Sequence, residues 1–201
     1  MTTAWDPTQV RLGTTGDLWR APVGTPAPVD TAALTTPWVN LGYASDDGVT
    51  AQPQITKTDI MVWQSAFPVR ERIVQGVDFK FKLVQDNPES LQLAFGGGDY
   101  EALTGIYTPP APGEVYENAF CFDVIDGTVN FRYFAARAIV TDVADIVMKA
   151  DEAIGYELTV TVLASGSTAP WQRIDGAPIT LAVDEGATST ARGGERSADA
   201  A

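Results

Sequence analysis

At 201 residues the chain is long enough for one large domain, or a domain with arms, that buries a real core without covalent staples. It has no histidine and a single cysteine, Cys121, which removes the Ser–His and Cys–His catalytic pairs, nearly every zinc site and any internal disulfide framework. The 26 acidic and 13 basic residues give a net charge of −13, so the surface repels nucleic acid and anionic lipid rather than gripping them.

Any catalysis would therefore rest on carboxylates, lysines or tyrosines, and the expectation is a protein that is not an enzyme and needs no cofactor or metal. No stretch approaches the roughly 20 apolar residues of a membrane span. The opening Met1-Thr2-Thr3-Ala4-Trp5-Asp6-Pro7 lacks the basic and apolar regions of a secretory signal. The expected location is the cytoplasm where the chain is made, or a particle packaged there.

Residues 1–58 read as an extended N-terminal arm ending in a long loop. Pro22, Pro26 and Pro28 exclude long helices there. Yet the arm carries Leu18, Trp19, Trp38, Leu41 and Tyr43, which must be covered by the chain's own body or by another copy. Asp46-Asp47-Gly48 marks a turn, and the polar run from Thr50 to Thr58 reads as a loop.

A β domain over residues 59–183 follows. Alternate positions from Asp59 to Gln75 carry Met61, Trp63, Phe67, Val69 and Ile73, which places Trp63 in the core. Gly76 breaks that run. Val77, Phe79, Phe81 and Leu83 then alternate with Asp78, Lys80 and Lys82 in the clearest strand of the chain, so residues 59–85 read as a long hairpin.

Asn87-Pro88-Glu89 is a helix start: an N-cap, proline at the first position and an acid in the first turn. Leu91, Leu93, Ala94 and Phe95 follow, and Gly96-Gly97-Gly98 ends the helix rather than cradling a phosphate, because no Lys-Ser or Lys-Thr follows. A second hairpin runs over Val115–Asp126 and Thr128–Thr141, turning at Asp126-Gly127. In it, Phe120 and Phe122 share a face, and Cys121 and Asp123 lie on the other. Residues 142–155 are ambiguous between a short helix and a strand with a turn. Tyr156–Leu163 alternates as a strand, and Trp171–Ile174 and Ile179–Val183 are placed to close the sheet edge. Residues 184–201 contain no large apolar side chain and read as a disordered tail.

Charge is segregated along the chain. Arg70, Arg72, Lys80 and Lys82 cluster in the first hairpin, whereas Val84–Phe131 holds eight acids and no lysine or arginine. The first hairpin and the acids Glu117 and Asp123 of the second therefore offer complementary charge, within one sheet or between copies forming a ring. Asp46-Asp47-Gly48 and Asp151-Glu152 lack the spaced oxygen ligands of a calcium loop. Trp5, Trp19, Trp38, Trp63 and Trp171 could line a sugar-binding groove, but Trp19 and Trp38 fit subunit anchors better.

Three segments of the arm resemble the start of major tail proteins of siphophages, those infecting actinobacteria above all. They are Gly16-Asp17-Leu18-Trp19-Arg20-Ala21-Pro22-Val23-Gly24-Thr25, then Trp38-Val39-Asn40-Leu41-Gly42-Tyr43, then Ser45-Asp46-Asp47-Gly48-Val49. Asp59-Ile60-Met61-Val62-Trp63-Gln64 and Val69-Arg70 are similar to that family's first long strand.

The resemblance implies a mainly β subunit, an antiparallel β-sandwich or open barrel of the phage tail tube type with one short flanking helix. It implies rings of six copies stacked into a tube, contacts through the arm and a long loop, and a lumen that conducts the genome during ejection without binding it specifically. Partners implied are further copies of the chain and the tape measure, tail terminator and distal tail proteins of a phage virion. Trp19, Trp38, Leu41 and Tyr43 are then the expected arm anchors, and Arg70, Arg72, Lys80, Lys82, Glu117 and Asp123 the expected charge pairs of the ring-forming sheet. Two other classes compete. One is a carbohydrate- or receptor-binding β-sandwich module of a phage particle, the other a carboxylate-dependent hydrolase with an acid pair in a cleft.

Overall fold

The structure is a computed structural model and describes residues 10–61, 63, 70–151, 153–166 and 169–176, the side chains of residues 58 and 70–74 excepted. It is mainly antiparallel β with one short helix. Ten strands are present among these residues: β1 (Thr15–Pro22), β2 (Val39–Asn40), β3 (Ala44–Ile60), β4 (Arg70–Leu83), β5 (Asp99–Glu101), β6 (Ile106–Thr108), β7 (Glu117–Asp126), β8 (Val129–Val143), β9 (Tyr156–Val162) and β10 (Trp171–Asp175). The helix α1 (Pro88–Ala94) lies between β4 and β5.

One continuous sheet runs β2-β1-β7-β8-β9-β4-β3, and β5 and β6 form a separate small hairpin. The 15-residue strand β8 shapes the whole sheet. One of its edges pairs with β7 from Val129 to Ile139. The other edge pairs first with β10, over Phe131–Ala135, and then with β9, over Ala138–Val143. At the changeover the main chain stays satisfied: Ala136 donates to the Pro170 carbonyl at 3.1 Å, and the Leu163 N–H donates to Arg137 O at 2.8 Å.

Beyond that switch the β9-β4-β3 part folds over the β1-β7-β8 part without closing a barrel. Phe79 of β4 and Phe122 of β7 are not sheet neighbours, yet their ring centroids are 4.6 Å apart. The inward set Val77, Phe79, Phe81 and Leu83 meets Phe120, Phe122, Leu158 and Val160, and Leu93 of α1 closes one end. Each such side chain contributes about 1.5–3 kcal/mol of burial. The outward positions Asp78, Lys80 and Lys82 complete the alternation read from the sequence.

The helix is set by its cap. Asn87 accepts from the Ser90 N–H at 2.7 Å, and the Ser90 hydroxyl oxygen accepts from Asn87 N–H at 3.0 Å. Pro88 stands in the first turn, and Gly96, Gly97 and Gly98, all at positive φ, take the chain away. The β7–β8 hairpin, with its tight turn after Asp126, and strands β9 and β10 also fall where the alternation puts them.

Three expectations need correction. The run Thr50–Thr58 is not a loop but part of the 17-residue strand β3. One face carries only Thr and Gln and the other the small or exposed Ala51, Pro53, Ile55 and Lys57, because β3 is an edge strand held by main-chain bonds to β4 rather than by burial. Pro53 is compatible with that position. Secondly, Gly76 does not interrupt a strand but sits inside β4, so the first hairpin joins 44–60 to 70–83 rather than 59–75 to 77–85. The Asp46-Asp47-Gly48 turn is a register irregularity within β3, with Gly48 at φ +67°. Thirdly, Trp63 is fully exposed rather than core.

The N-terminal arm is also more integrated than expected. β1 lies inside the sheet between β2 and β7, and the expected division at residue 58 falls within β3. Gly16 is required there, since a Cβ would lie 2.1 Å from the Asp123 carbonyl oxygen. Residues 23–38 form a strap across the outer face of β1-β7-β8, where Ala27, Leu34 and Trp38 pack against Cys121 and Phe134. Cys121 is buried, and that burial pushes its thiol pKa up. Residues 142–143 complete β8, and the expected strand 179–183 and tail 184–201 lie outside the described residues.

Arg132 fastens the strap. It is buried, bonds both oxygens of Asp123 at 2.5 and 2.7 Å, and donates to the carbonyls of Asp30 and Ala32 at 3.0 and 3.1 Å. Burial opposes its charge, but the hydrogen bond and charge of Asp123 outweigh that and hold its pKa above the ordinary arginine value. Asp123→Ala strands that charge and should cost about 3 kcal/mol in urea unfolding. The double variant Asp123→Leu/Arg132→Met should recover a large part of that loss.

Candidate functional site

The expected charge pairs divide. Asp123 is taken by Arg132, and Glu117 by Arg137, whose Nε and Nη2 each donate at 2.6 Å. Both acids therefore meet arginines of β8 rather than the basic residues of β4. Lys80 is exposed, with Thr50 and Thr159 as its strand partners, and Lys82 lies opposite Glu157. The side chains of Arg70 and Arg72 lie outside the described ones. The hydrogen bond to Arg137 lowers the Glu117 pKa, burial opposes it, and the Arg137 charge adds to the lowering.

The turn at Asp126-Gly127 already carries the Asp123 pairing. A tight turn that puts Asp126 opposite Val129 puts Asp123 opposite Arg132. That register signal was readable, but Arg132 stands one residue beyond the acidic run and was passed over.

The four expected arm anchors also divide. Leu41 is fully buried in the chain's own core, and Trp19 and Trp38 pack on its outer face, Trp38 edge-on to Phe134 at 6.1 Å. Tyr43 alone is well exposed, at 77 %. Arg20 acts inside the subunit instead: it donates to Gln92 of α1 at 2.6 Å and to the Tyr116 hydroxyl, docking the helix on β1.

The β3–β4 ribbon extends past the rest of the sheet. Only Asp78–Leu83 of β4 pairs with β9, so β3 and β4 beyond Asp78 run on as two strands alone. The outer edge of β3 has no partner strand among the described residues. Ile55, Ile60, Met61 and Trp63 are all exposed along it.

Two clefts border this ribbon. One, of about 920 Å³, lies against β1 and the start of β3 and carries Asp17, Asp46, Asp47 and Asp123. Its acids are engaged locally, Asp17 by Asn40, Asp47 by Ser45 and Asp123 by Arg132. The other, of about 630 Å³, is apolar. Among the described residues there is no cluster of His, Cys, Asp or Glu able to hold a metal. Around β10 the rings are not open faces, because Arg173 lies 4.5 Å over Phe131 and Tyr133 packs beside Trp171. No helix among the described residues is long and apolar enough to cross a membrane.

Because the folded pKa of Glu117 is depressed, its pairing stabilises the fold fully above the ordinary carboxylate pKa and loses that contribution as pH falls through the depressed value. Unfolding free energies measured by urea between pH 7 and pH 3 should fall less steeply for Glu117→Gln than for the unaltered chain. Equal slopes would remove this pair from the acid response.

A search of curated proteins found no match. The phage tail tube protein family model matches residues 3–182. That match takes in the strap, the sheet, the helix and the ribbon, and the chain belongs to the phage tail tube protein family.

Proposed function

We propose that this structural tail protein assembles through the β3–β4 ribbon and the open edge of β3 into rings that stack as the tube through which a phage genome is ejected. The observation that carries this reading is the ribbon itself. A long, unpartnered edge strand with exposed Ile55, Ile60, Met61 and Trp63 is a liability in a solitary protein and an interface in an assembling one.

A ring needs one surface to meet a different surface of the next copy, and a projecting two-stranded ribbon supplies such a head-to-tail contact. Six copies per ring is the number the resemblance implies. Tyr43, the one expected arm anchor left well exposed, stands before β3 at the end opposite the ribbon, and a neighbouring copy reaching that end would meet it. The net charge of −13 suits a conduit to which DNA does not adhere, wherever on the tube those charges fall. Tape measure, terminator and distal tail proteins are the further partners this reading implies, with the virion tail as the location and the host cytoplasm as the place of assembly.

Trp63→Asp and Ile55→Asp alter exposed side chains and should leave the circular dichroism and unfolding of the subunit unchanged. Each should weaken association at least 10-fold, on the order of the loss at an interface hot spot. Sedimentation and negative-stain microscopy would read this as fewer or no tubes. Normal tube yield from both variants would exclude the ribbon as the assembly element.

A further inference from the structure

The apolar groove of about 630 Å³ lies between the inner faces of β3 and β4 and the start of β10. Ile55, Val77, Phe79, Tyr133, Val162 and Trp171 line it. Ile55 is 68 % and Trp171 39 % exposed, so the described residues leave it uncovered.

The chain itself leads to the place. β10 ends at Asp175, and the Gly176 N–H donates to the Asn130 carbonyl at 2.8 Å. β10 pairs with β8 along one edge and has no second partner strand among the described residues. Along β10, Ile174 joins the outer cluster around Phe134, while Trp171 and Arg173 lie on the Tyr133 face. A strand added beside β10 would therefore present every second side chain to the Tyr133 face, and the one level with Trp171 to the groove.

The sequence after Gly176 has that pattern. Ala177-Pro178-Ile179-Thr180-Leu181-Ala182-Val183 carries no charge and places Ile179, Leu181 and Val183 at a period of two. It stops at Asp184-Glu185, after which no large apolar residue occurs. Five extended residues span roughly 17 Å, about the length of β10, so a return from a turn at 176–178 brings Val183 level with Trp171. The family match runs through residue 182, which groups this stretch with the folded part rather than with the tail.

We propose that residues 179–183 return antiparallel along the free edge of β10 in the same chain, with Ile179 and Leu181 on the Tyr133 face and Val183 beside Trp171 at the mouth of the groove. This covers Trp171 within the subunit and leaves the β3 edge open to other copies. It also delivers the charged, small-residue tail 184–201 at the mouth of the groove, tethered at its base.

Hydrogen exchange of the full-length chain, at a concentration where it is monomeric, tests this. Amides of 180–183 should exchange at least 100-fold more slowly than those of 187–199, and Leu181→Asp should abolish that protection while β7 and β8 keep theirs. Equal, unprotected rates across 180–199 in the unaltered chain would overturn the proposal. A second measurement uses the burial of Cys121, which keeps it out of disulfide exchange. Under mild oxidation Arg173→Cys/Leu181→Cys, directly opposite in this register, should close a bond within one chain, and Arg173→Cys/Ser189→Cys should not. A bond formed only between chains would overturn the placement in the same chain and make the occupant a neighbouring copy's segment.

Discussion

The architecture depends on β8 having two partners along one edge. A strand of 15 residues that pairs with β7 on one side, and with β10 and then β9 on the other, cannot belong to a single flat layer. The sheet must turn where the partner changes, and that turn lays Phe79 over Phe122 and creates the core. It also fixes where the sheet runs out. β9 supports β4 only from Asp78 to Leu83, so the remainder of the β3–β4 hairpin projects as a ribbon. The projecting ribbon thus follows from where β9, seated on the far half of β8, stops supporting β4.

The N-terminal segment shows how a chain can look like an arm and serve as a wall. Its prolines keep residues 23–38 out of the sheet, but Arg132 holds their backbone down through the Asp30 and Ala32 carbonyls. A buried guanidinium suits this task because it satisfies a carboxylate and two carbonyls at once. Trp19, Trp38 and Leu41 of the segment are then packed within the subunit.

Much of this was legible in the sequence. Period-two alternation located β4, β7, β8, β9 and β10, and Asn87-Pro88 fixed the start of α1, because in each case burial of one face or capping of one end leaves a local signature. β3 was hidden for the complementary reason: an edge strand held by main-chain bonds needs no strongly apolar face, so the alternation in Thr50–Thr58 rests on Ala51, Pro53 and Ile55 alone and is weak. Trp63 was misplaced because alternation says which residues share a face and not whether anything covers it. The partners of Asp123 and Glu117 within the chain were not legible from charge segregation, which says nothing of register, whereas the Asp126-Gly127 turn does.

The account's central claim is that this subunit is built to associate with copies of itself through an unpaired sheet edge. Sedimentation velocity of the purified full-length chain over a range of concentrations, with microscopy of the same samples, tests it most directly. The account predicts growth from monomer to rings and tubes of uniform diameter. A compact monomer at every concentration, under conditions where the fold is intact, would contradict it.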